Sequence, residues 1–71
     1  MKNCVEALRK ERSLSQEDFA KAIHVSRQTV SSIENGKYYP SLELAFIIAD
    51  FFEKKIEEVF IFERIGKNEK E

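Results

Sequence analysis

The chain has 71 residues, of which 42% are apolar and 35% charged, and its formal net charge is −1. This length allows one small domain around one core. The longest uninterrupted apolar run, residues 44–49, is far shorter than the roughly 20 residues that cross a bilayer, and residues 1–3 open no signal peptide, so we expect a cytoplasmic protein without a membrane segment.

Cys4 and His24 are the only cysteine and the only histidine of the chain. A lone cysteine forms no intrachain disulfide and assembles no cysteine-based metal site. Nucleophilic and acid–base catalysis need clusters of reactive side chains, and the sequence has neither such a cluster nor a glycine-rich phosphate loop. It therefore predicts no enzyme, no catalytic residue, no metal and no cofactor.

The first two predicted helices are short and amphipathic. Residues 2–12 form the first, which buries Val5 and Leu8. Ser15 is a suitable N-cap for the second, and Asp18, three residues later, is expected to return the hydrogen bond in a capping box. The second helix buries one face formed by Phe19, Ala20 and Ile23.

A third predicted helix follows after a tight turn that Val25 fills. Ser26 caps this helix, Val30 and Ile33 form its buried face, and Gly36 suits the left-handed position after its end. An isolated helix normally carries long charged side chains on its outward face, but those of this helix are mostly short and polar. They are Arg27, Gln28, Thr29, Ser31 and Ser32.

This outward set matches the chemistry of base edges in the major groove of DNA. Glutamine bonds an adenine edge through two hydrogen bonds, arginine does the same for guanine, and serine or threonine contacts bases or phosphates. The capped N-terminus also presents free N–H groups that favour a phosphate. The sequence therefore predicts double-stranded DNA as the partner, with Arg27, Gln28 and Ser32 as base-reading residues.

The charge distribution is compatible with this interpretation despite the negative total. Residues 1–40 carry seven basic and five acidic side chains, a net charge of +2, whereas residues 41–71 carry five basic and eight acidic ones, a net charge of −3. We expect the acidic half to face away from DNA. The weak overall field predicts modest non-specific affinity and reliance on specific contacts and dimerisation.

Four blocks of the sequence resemble one known family, in the right order and spacing. They are L-S-Q-E-D-F-A from Leu14, V-S-R-Q-T-V-S-S-I-E-N-G-K from Val25, P-S-L-E-L-A from Pro40 and I-E-E-V-F from Ile56. On these blocks the chain resembles the Xre-like, Cro and phage-repressor class of helix-turn-helix proteins. The resemblance implies an all-α, compact five-helix bundle that places the helix after Ser26 in the major groove, usually as a two-fold dimer on a palindromic operator.

The resemblance also implies roles for residues outside the base-reading set. Arg9 is expected to form a structural ion pair with Glu34, which ties the first helix to the end of the third. Gln16 is expected to bond a phosphate through its side chain. The residues predicted to contact the DNA backbone are Gln16, Ser26, Thr29, Ser31, Asn35, Lys37 and Tyr38.

Ser13 and His24 stand where this family commonly has glycine. A left-handed backbone costs a non-glycine residue roughly 1–2 kcal/mol, although histidine tolerates it better than most. We expect the motif to persist at that cost, with His24 in the turn near the phosphate backbone.

Pro40 and Ser41 begin a fourth predicted helix that is apolar on two sides. Its core face is expected to comprise Leu42, Ala45, Ile48, Ala49 and Phe52. A second stripe, Leu44, Ile47 and Phe51, is surplus to a core of this size and predicts a dimer interface, together with Ile61 and Phe62. The alternative is that the chain after Phe60 folds back over this stripe.

A fifth predicted helix covers residues 56–60. Residues 59–62 are also β-prone, so they form either the end of this helix or a short strand that pairs across a dimer axis. We expect the helix-turn-helix domain to span residues 1–62, and residues 63–71 to form a charged, flexible tail.

The sequence thus predicts a transcriptional regulator that binds an inverted-repeat operator as a homodimer, and we favour a repressor over an activator. The alternative is an antitoxin-like or adaptor module that binds another protein through the apolar face of the fourth helix. No segment indicates a pocket for a small-molecule effector.

Overall fold

A computed structural model describes residues 1–63 of the chain. Five α-helices lie within them: α1 Val5–Glu11, α2 Gln16–Ala22, α3 Arg27–Glu34, α4 Leu42–Phe51 and α5 Ile56–Val59. The predicted all-α five-helix architecture is confirmed. No helix in this part of the chain is long and apolar enough to cross a membrane. Apart from Glu63, the predicted tail lies outside the described residues.

Serine residues cap the N-termini of three of these helices, as the sequence predicts. Each accepts a hydrogen bond from the backbone N–H three residues later, which satisfies one unpaired donor of the first turn. The pairs are Ser15 with Asp18 at 3.0 Å, Ser26 with Thr29 at 3.0 Å, and Ser41 with Leu44 at 3.1 Å. The expected return bond from Asp18 is not among the hydrogen bonds of residues 1–63. At α5 such a bond is present, since the Lys55 N–H donates to Glu58 Oε1 at 2.8 Å.

Helices α1 to α4 all end in the same way. A residue with positive φ stands two positions after each helix: Ser13 (56°), His24 (62°), Gly36 (82°) and Glu53 (56°). The next residue then donates its N–H back to a carbonyl in the last turn, as from Leu14 to Arg9 at 3.1 Å. The left-handed geometry expected at Ser13, His24 and Gly36 is confirmed, and Glu53 adds a fourth case.

The core lies where α1 to α5 converge. Its buried apolar residues are Val5, Leu8, Phe19, Ala20, Ile23, Val30, Ile33, Ala45, Ile48, Ala49, Phe52, Val59 and Phe60. The prediction that Leu42 belongs to this core is wrong, because 69% of its surface is exposed. Most residues of α4 are apolar, so periodicity alone did not select the buried face. That face is set by Ala45, Ile48 and Ala49.

The first helix begins later than predicted. It starts at Val5, and Asn3 instead forms an antiparallel bridge with Phe60. Two backbone hydrogen bonds flank the bridge, from Cys4 N to Val59 O at 2.8 Å and from Ile61 N to a carbonyl of residue 2 at 2.9 Å. Val59 O and Ile61 N therefore pair with the N-terminal segment of the same chain. The pairing of residues 59–62 across a dimer axis stays a prediction.

Candidate nucleic-acid interface

The outward face of α3 is polar and accessible. Val30 and Ile33 are buried, whereas Gln28 and Asn35 are exposed on the opposite side of the helix. Ser31 and Ser32 flank them and are half-buried, and Arg27 is exposed at the margin. The fold therefore brings the three predicted base-reading residues, Arg27, Gln28 and Ser32, onto one helix.

The beginning of α3 is fixed by hydroxyl groups. The Ser26 hydroxyl accepts the N–H of Thr29 and also lies 2.9 Å from the Thr29 hydroxyl. Thr29 is half-buried, and this hydrogen bond holds its hydroxyl beside the cap. The N–H groups of the first turn that the cap does not use remain available to an anion at this end.

A buried ion pair joins α1 to the end of α3. Arg9 Nε donates to Glu34 Oε2 at 2.7 Å and Arg9 Nη2 to Glu34 Oε1 at 3.2 Å, with 9% and 5% of the two side chains exposed. Arg9 Nη1 donates to the Leu14 carbonyl at 2.7 Å. The hydrogen bond to Glu34 raises the pKa of Arg9 above its ordinary value, against the opposing effect of burial, so the guanidinium stays charged.

Gln16 lies beside this pair rather than fully in solvent. Its Nε2 donates to Glu34 Oε1 at 3.0 Å. An amide nitrogen carries two hydrogens, so one N–H of Gln16 remains for another acceptor. Arg9 meanwhile compensates the negative charge of Glu34. The carboxylate of Glu34 therefore repels an approaching phosphate less strongly.

The loop after α3 is held by backbone bonds to the helix. Ser32 O accepts the N–H groups of Lys37 at 3.0 Å and Tyr38 at 3.1 Å, and Asn35 Oδ1 accepts the Lys37 N–H at 3.3 Å. The side chains of Asn35, Lys37 and Tyr38 are exposed. Gly36 supplies the positive φ that turns the chain.

The apolar stripe predicted on α4 is not uniformly exposed. Leu44 and Phe51 pack partly against the core, and the Phe51 ring lies 5.3 Å from that of Phe19. Ile47 is exposed on this same side of α4.

Several apolar side chains outside this stripe are more exposed than those within it. Leu42, Phe46 and Phe62 are 69%, 54% and 76% exposed, and Tyr39 and Ile61 are exposed as well. Adjoining grooves link these residues: Leu42 and Tyr39 line one of about 300 Å³, Tyr39 and Phe62 line a second of about 140 Å³, and Phe46 lines a third of about 320 Å³. We call this the C-terminal apolar surface. It comprises Tyr39, Leu42, Phe46, Ile61 and Phe62.

Sequence reasoning missed the contacts of Asn3, whose side chain reaches the end of α3. Its Nδ2 donates to Ile33 O at 2.9 Å, and its Oδ1 accepts the Val5 N–H at 3.1 Å. An asparagine just before a helix is a known cap signal, but its bond to Ile33 depends on the tertiary fold.

Two capped helices joined by a tight turn, the second with a polar outward face, define a DNA-binding helix-turn-helix protein. A family profile described as "Helix-turn-helix" matches residues 5–59, and the chain belongs to this family. The match confirms the Xre-like resemblance and places the chain among DNA-binding regulators, which are not enzymes.

Curated relatives agree with this assignment. The chain is 57% identical over 63 residues to an uncharacterized HTH-type transcriptional regulator of Methanocaldococcus jannaschii, covering 89% of this chain and 96% of the relative. It is 48% identical over 63 residues to the uncharacterized regulator YgzD of Bacillus subtilis, with the same coverage. It is also 36% identical over 61 residues to the HTH-type transcriptional activator BcrR of Enterococcus faecalis, covering 86% of this chain but 30% of the relative.

Proposed function

We propose that the protein is a sequence-specific transcriptional repressor that binds an inverted-repeat operator as a homodimer. The observation that carries this proposal is the exposed polar face of α3, with Gln28 opposite the buried Val30 and Ile33. In the major groove Gln28, at the centre of the exposed face of α3, reads one base. Arg27 and Ser32 read the neighbouring bases.

Backbone contacts then surround the base-reading residues. Gln16 gives its second amide N–H to a phosphate, while Ser26, Thr29 and Ser31 contact the phosphates at the start and flank of α3. Asn35, Lys37 and Tyr38 contact the backbone beyond its end. These seven contacts set the register of the helix on the duplex and carry no sequence information of their own.

A second copy of the chain completes the operator contacts. We place the dimer contact on the C-terminal apolar surface, which retains Ile61 and Phe62 of the predicted interface. It replaces Leu44, Ile47 and Phe51 by Tyr39, Leu42 and Phe46, because Leu44 and Phe51 are partly buried against the core and Ile47 lies on their side of α4. Two-fold symmetry then presents two copies of α3 about 34 Å apart, one turn of B-DNA.

Selection of duplexes from a random pool, followed by sequencing, tests the DNA-reading part of the proposal. We expect enrichment of an inverted repeat. On the enriched duplex, Gln28→Ala weakens binding by about 1–3 kcal/mol with little effect on a scrambled duplex. Lys37→Ala weakens both duplexes alike and lowers the salt dependence. Identical behaviour of the two variants in titrations at several salt concentrations would refute these roles.

Analytical ultracentrifugation tests the dimer. Leu42→Glu and Phe62→Glu place charges on the C-terminal apolar surface and should yield monomers, whereas Ile47→Glu, on the other side of α4, should leave the dimer intact. A wild-type monomer that enriches no duplex would instead favour the adaptor alternative, in which a different protein covers the exposed side chains of α4.

Repression is the simplest consequence of operator occupancy, because a bound dimer excludes other proteins from the same groove. A reporter gene with the selected operator overlapping its promoter should be expressed less in the presence of the protein. Increased expression in the same arrangement would show activation instead.

A further inference from the structure

We propose that Asn3 is a positioning residue that sets the orientation of the recognition helix α3 for base reading. The inference rests on the proposed reading of DNA by α3. Among residues 1–63 the Asn3 side chain forms no hydrogen bond with a predicted DNA-contacting residue, and it acts through the backbone of Ile33.

The carboxamide of Asn3 bonds to three separate backbone groups. Nδ2 donates to Ile33 O at 2.9 Å and to Met1 O at 3.1 Å, and Oδ1 accepts the Val5 N–H at 3.1 Å. Both hydrogens of the amide are thus used, and the side chain is held in one orientation. Through it the end of α3 is joined directly to the start of α1.

The backbone of Asn3 fixes a third part of the fold. Its bridge to Phe60, with the flanking bond from Cys4 N to Val59 O at 2.8 Å, anchors the N-terminal segment on the chain that follows α5. This chain carries Ile61 and Phe62 of the C-terminal apolar surface. Asn3 therefore lies between the surface on which we place the dimer contact and the helix that we propose reads DNA.

These bonds lie at the C-terminal end of α3 and restrain the tilt of the helix. Ile33 O and the Glu34 side chain are adjacent attachments at the C-terminal end, whereas Gln28 lies about 7.5 Å away along the helix axis. A tilt of about 10° around Ile33 moves Gln28 by about 1.3 Å, more than the roughly 0.5 Å that a productive binding geometry tolerates. Loss of one attachment therefore affects the base contacts of α3 more than the phosphate contacts proposed for Gln16 and Lys37, which lie outside this helix.

Asn3→Asp is the informative variant. It keeps the size of the side chain and the acceptor for the Val5 N–H, but it removes both donors and directs a carboxylate oxygen at Ile33 O. Ile48→Val is the matched control, because Ile48 is fully buried in α4 and its loss of one methyl group lowers stability without removing a bond to α3.

The measurement is the dissociation constant for a scrambled duplex divided by the dissociation constant for the duplex that wild-type protein enriches from a random pool. A partly unfolded variant raises both constants by the same factor, so the ratio reports positioning independently of stability. We expect the ratio to fall about tenfold in Asn3→Asp and to change less than twofold in Ile48→Val.

Two results would count against the proposals, and they differ. If wild-type protein enriches a duplex and Asn3→Asp keeps the wild-type ratio, Asn3 does not position α3. If wild-type protein enriches no duplex, the proposed DNA reading itself fails, and the positioning role fails with it.

Discussion

Replacing Glu34 by leucine tests the energetic argument for the buried ion pair. The substitution removes the acceptors of two hydrogen bonds from Arg9, at 2.7 and 3.2 Å, and leaves the guanidinium with only the Leu14 carbonyl at 2.7 Å. Without Glu34 the main cause that raises the pKa of Arg9 is lost and the pKa falls back toward its ordinary value, so the side chain remains a buried cation at neutral pH. Leaving one partner of a buried pair uncompensated costs about 3 kcal/mol.

This cost is large for so small a domain. A chain of 71 residues has a free energy of unfolding of about 5 kcal/mol, so Glu34→Leu remains folded with about 2 kcal/mol. The melting temperature should fall by about 15 °C. Urea unfolding followed by circular dichroism measures the change, at one fixed protein concentration because the proposed dimerisation would add to stability.

The double variant Arg9→Leu, Glu34→Leu separates the pair from the packing around it. Removing both charges should recover most of the loss, because an apolar pair of similar volume carries no uncompensated charge. Equal stability of Glu34→Leu and wild type, or a double variant whose loss equals the sum of the two single losses, would refute the reasoning. Glu6→Ala, which breaks an exposed pair with Lys10 at 2.9 Å, is the control and should not move the midpoint.

Three further predictions concern local structure. Ser26→Ala should lower the free energy of unfolding by about 1 kcal/mol, because the cap of α3 is lost; chemical denaturation measures it. Ser13→Gly and His24→Gly should each raise it by about 1 kcal/mol, because glycine adopts the observed positive φ without strain, and a loss of stability would contradict this. A hydrogen bond from Lys10 holds the pKa of Glu6 below its ordinary value of 4.5. Any stability from this pair is therefore present above pH 4.5 and is lost as the pH falls through the lowered pKa. In Lys10→Ala the pKa of Glu6 should rise again, which a carboxyl NMR titration measures.

The helix boundaries were predictable where local chemistry decides them. A serine hydroxyl and the N–H three residues later are close in sequence, so the caps at Ser15, Ser26 and Ser41 follow from the chain itself. The left-handed ends at Ser13 and His24 were expected only through the family resemblance, because neither residue type requires positive φ. Glu53 adopts the same conformation without any such signal.

The surface of α4 was not predictable from periodicity. When apolar residues surround a helix, the buried face is chosen by the elements that pack on it, here around Ala45, Ile48 and Ala49. The sequence pattern therefore predicts Leu42 in the core and assigns no role to Phe46, although both are exposed. Contacts of Asn3 with Ile33 likewise join residues 30 positions apart and have no local signature.

The weak charge of this protein makes the geometry of α3 more important than it is in a strongly basic DNA-binding protein. With a net charge of −1 in total and +2 on residues 1–40, counterion release contributes little affinity that is independent of sequence. In the proposed complex, discrimination then comes from the base contacts, which are sensitive to displacement of α3. The buried pair of Arg9 and Glu34 and the bonds of Asn3 restrain the same end of that helix, so we expect their loss to reduce specificity before it abolishes binding.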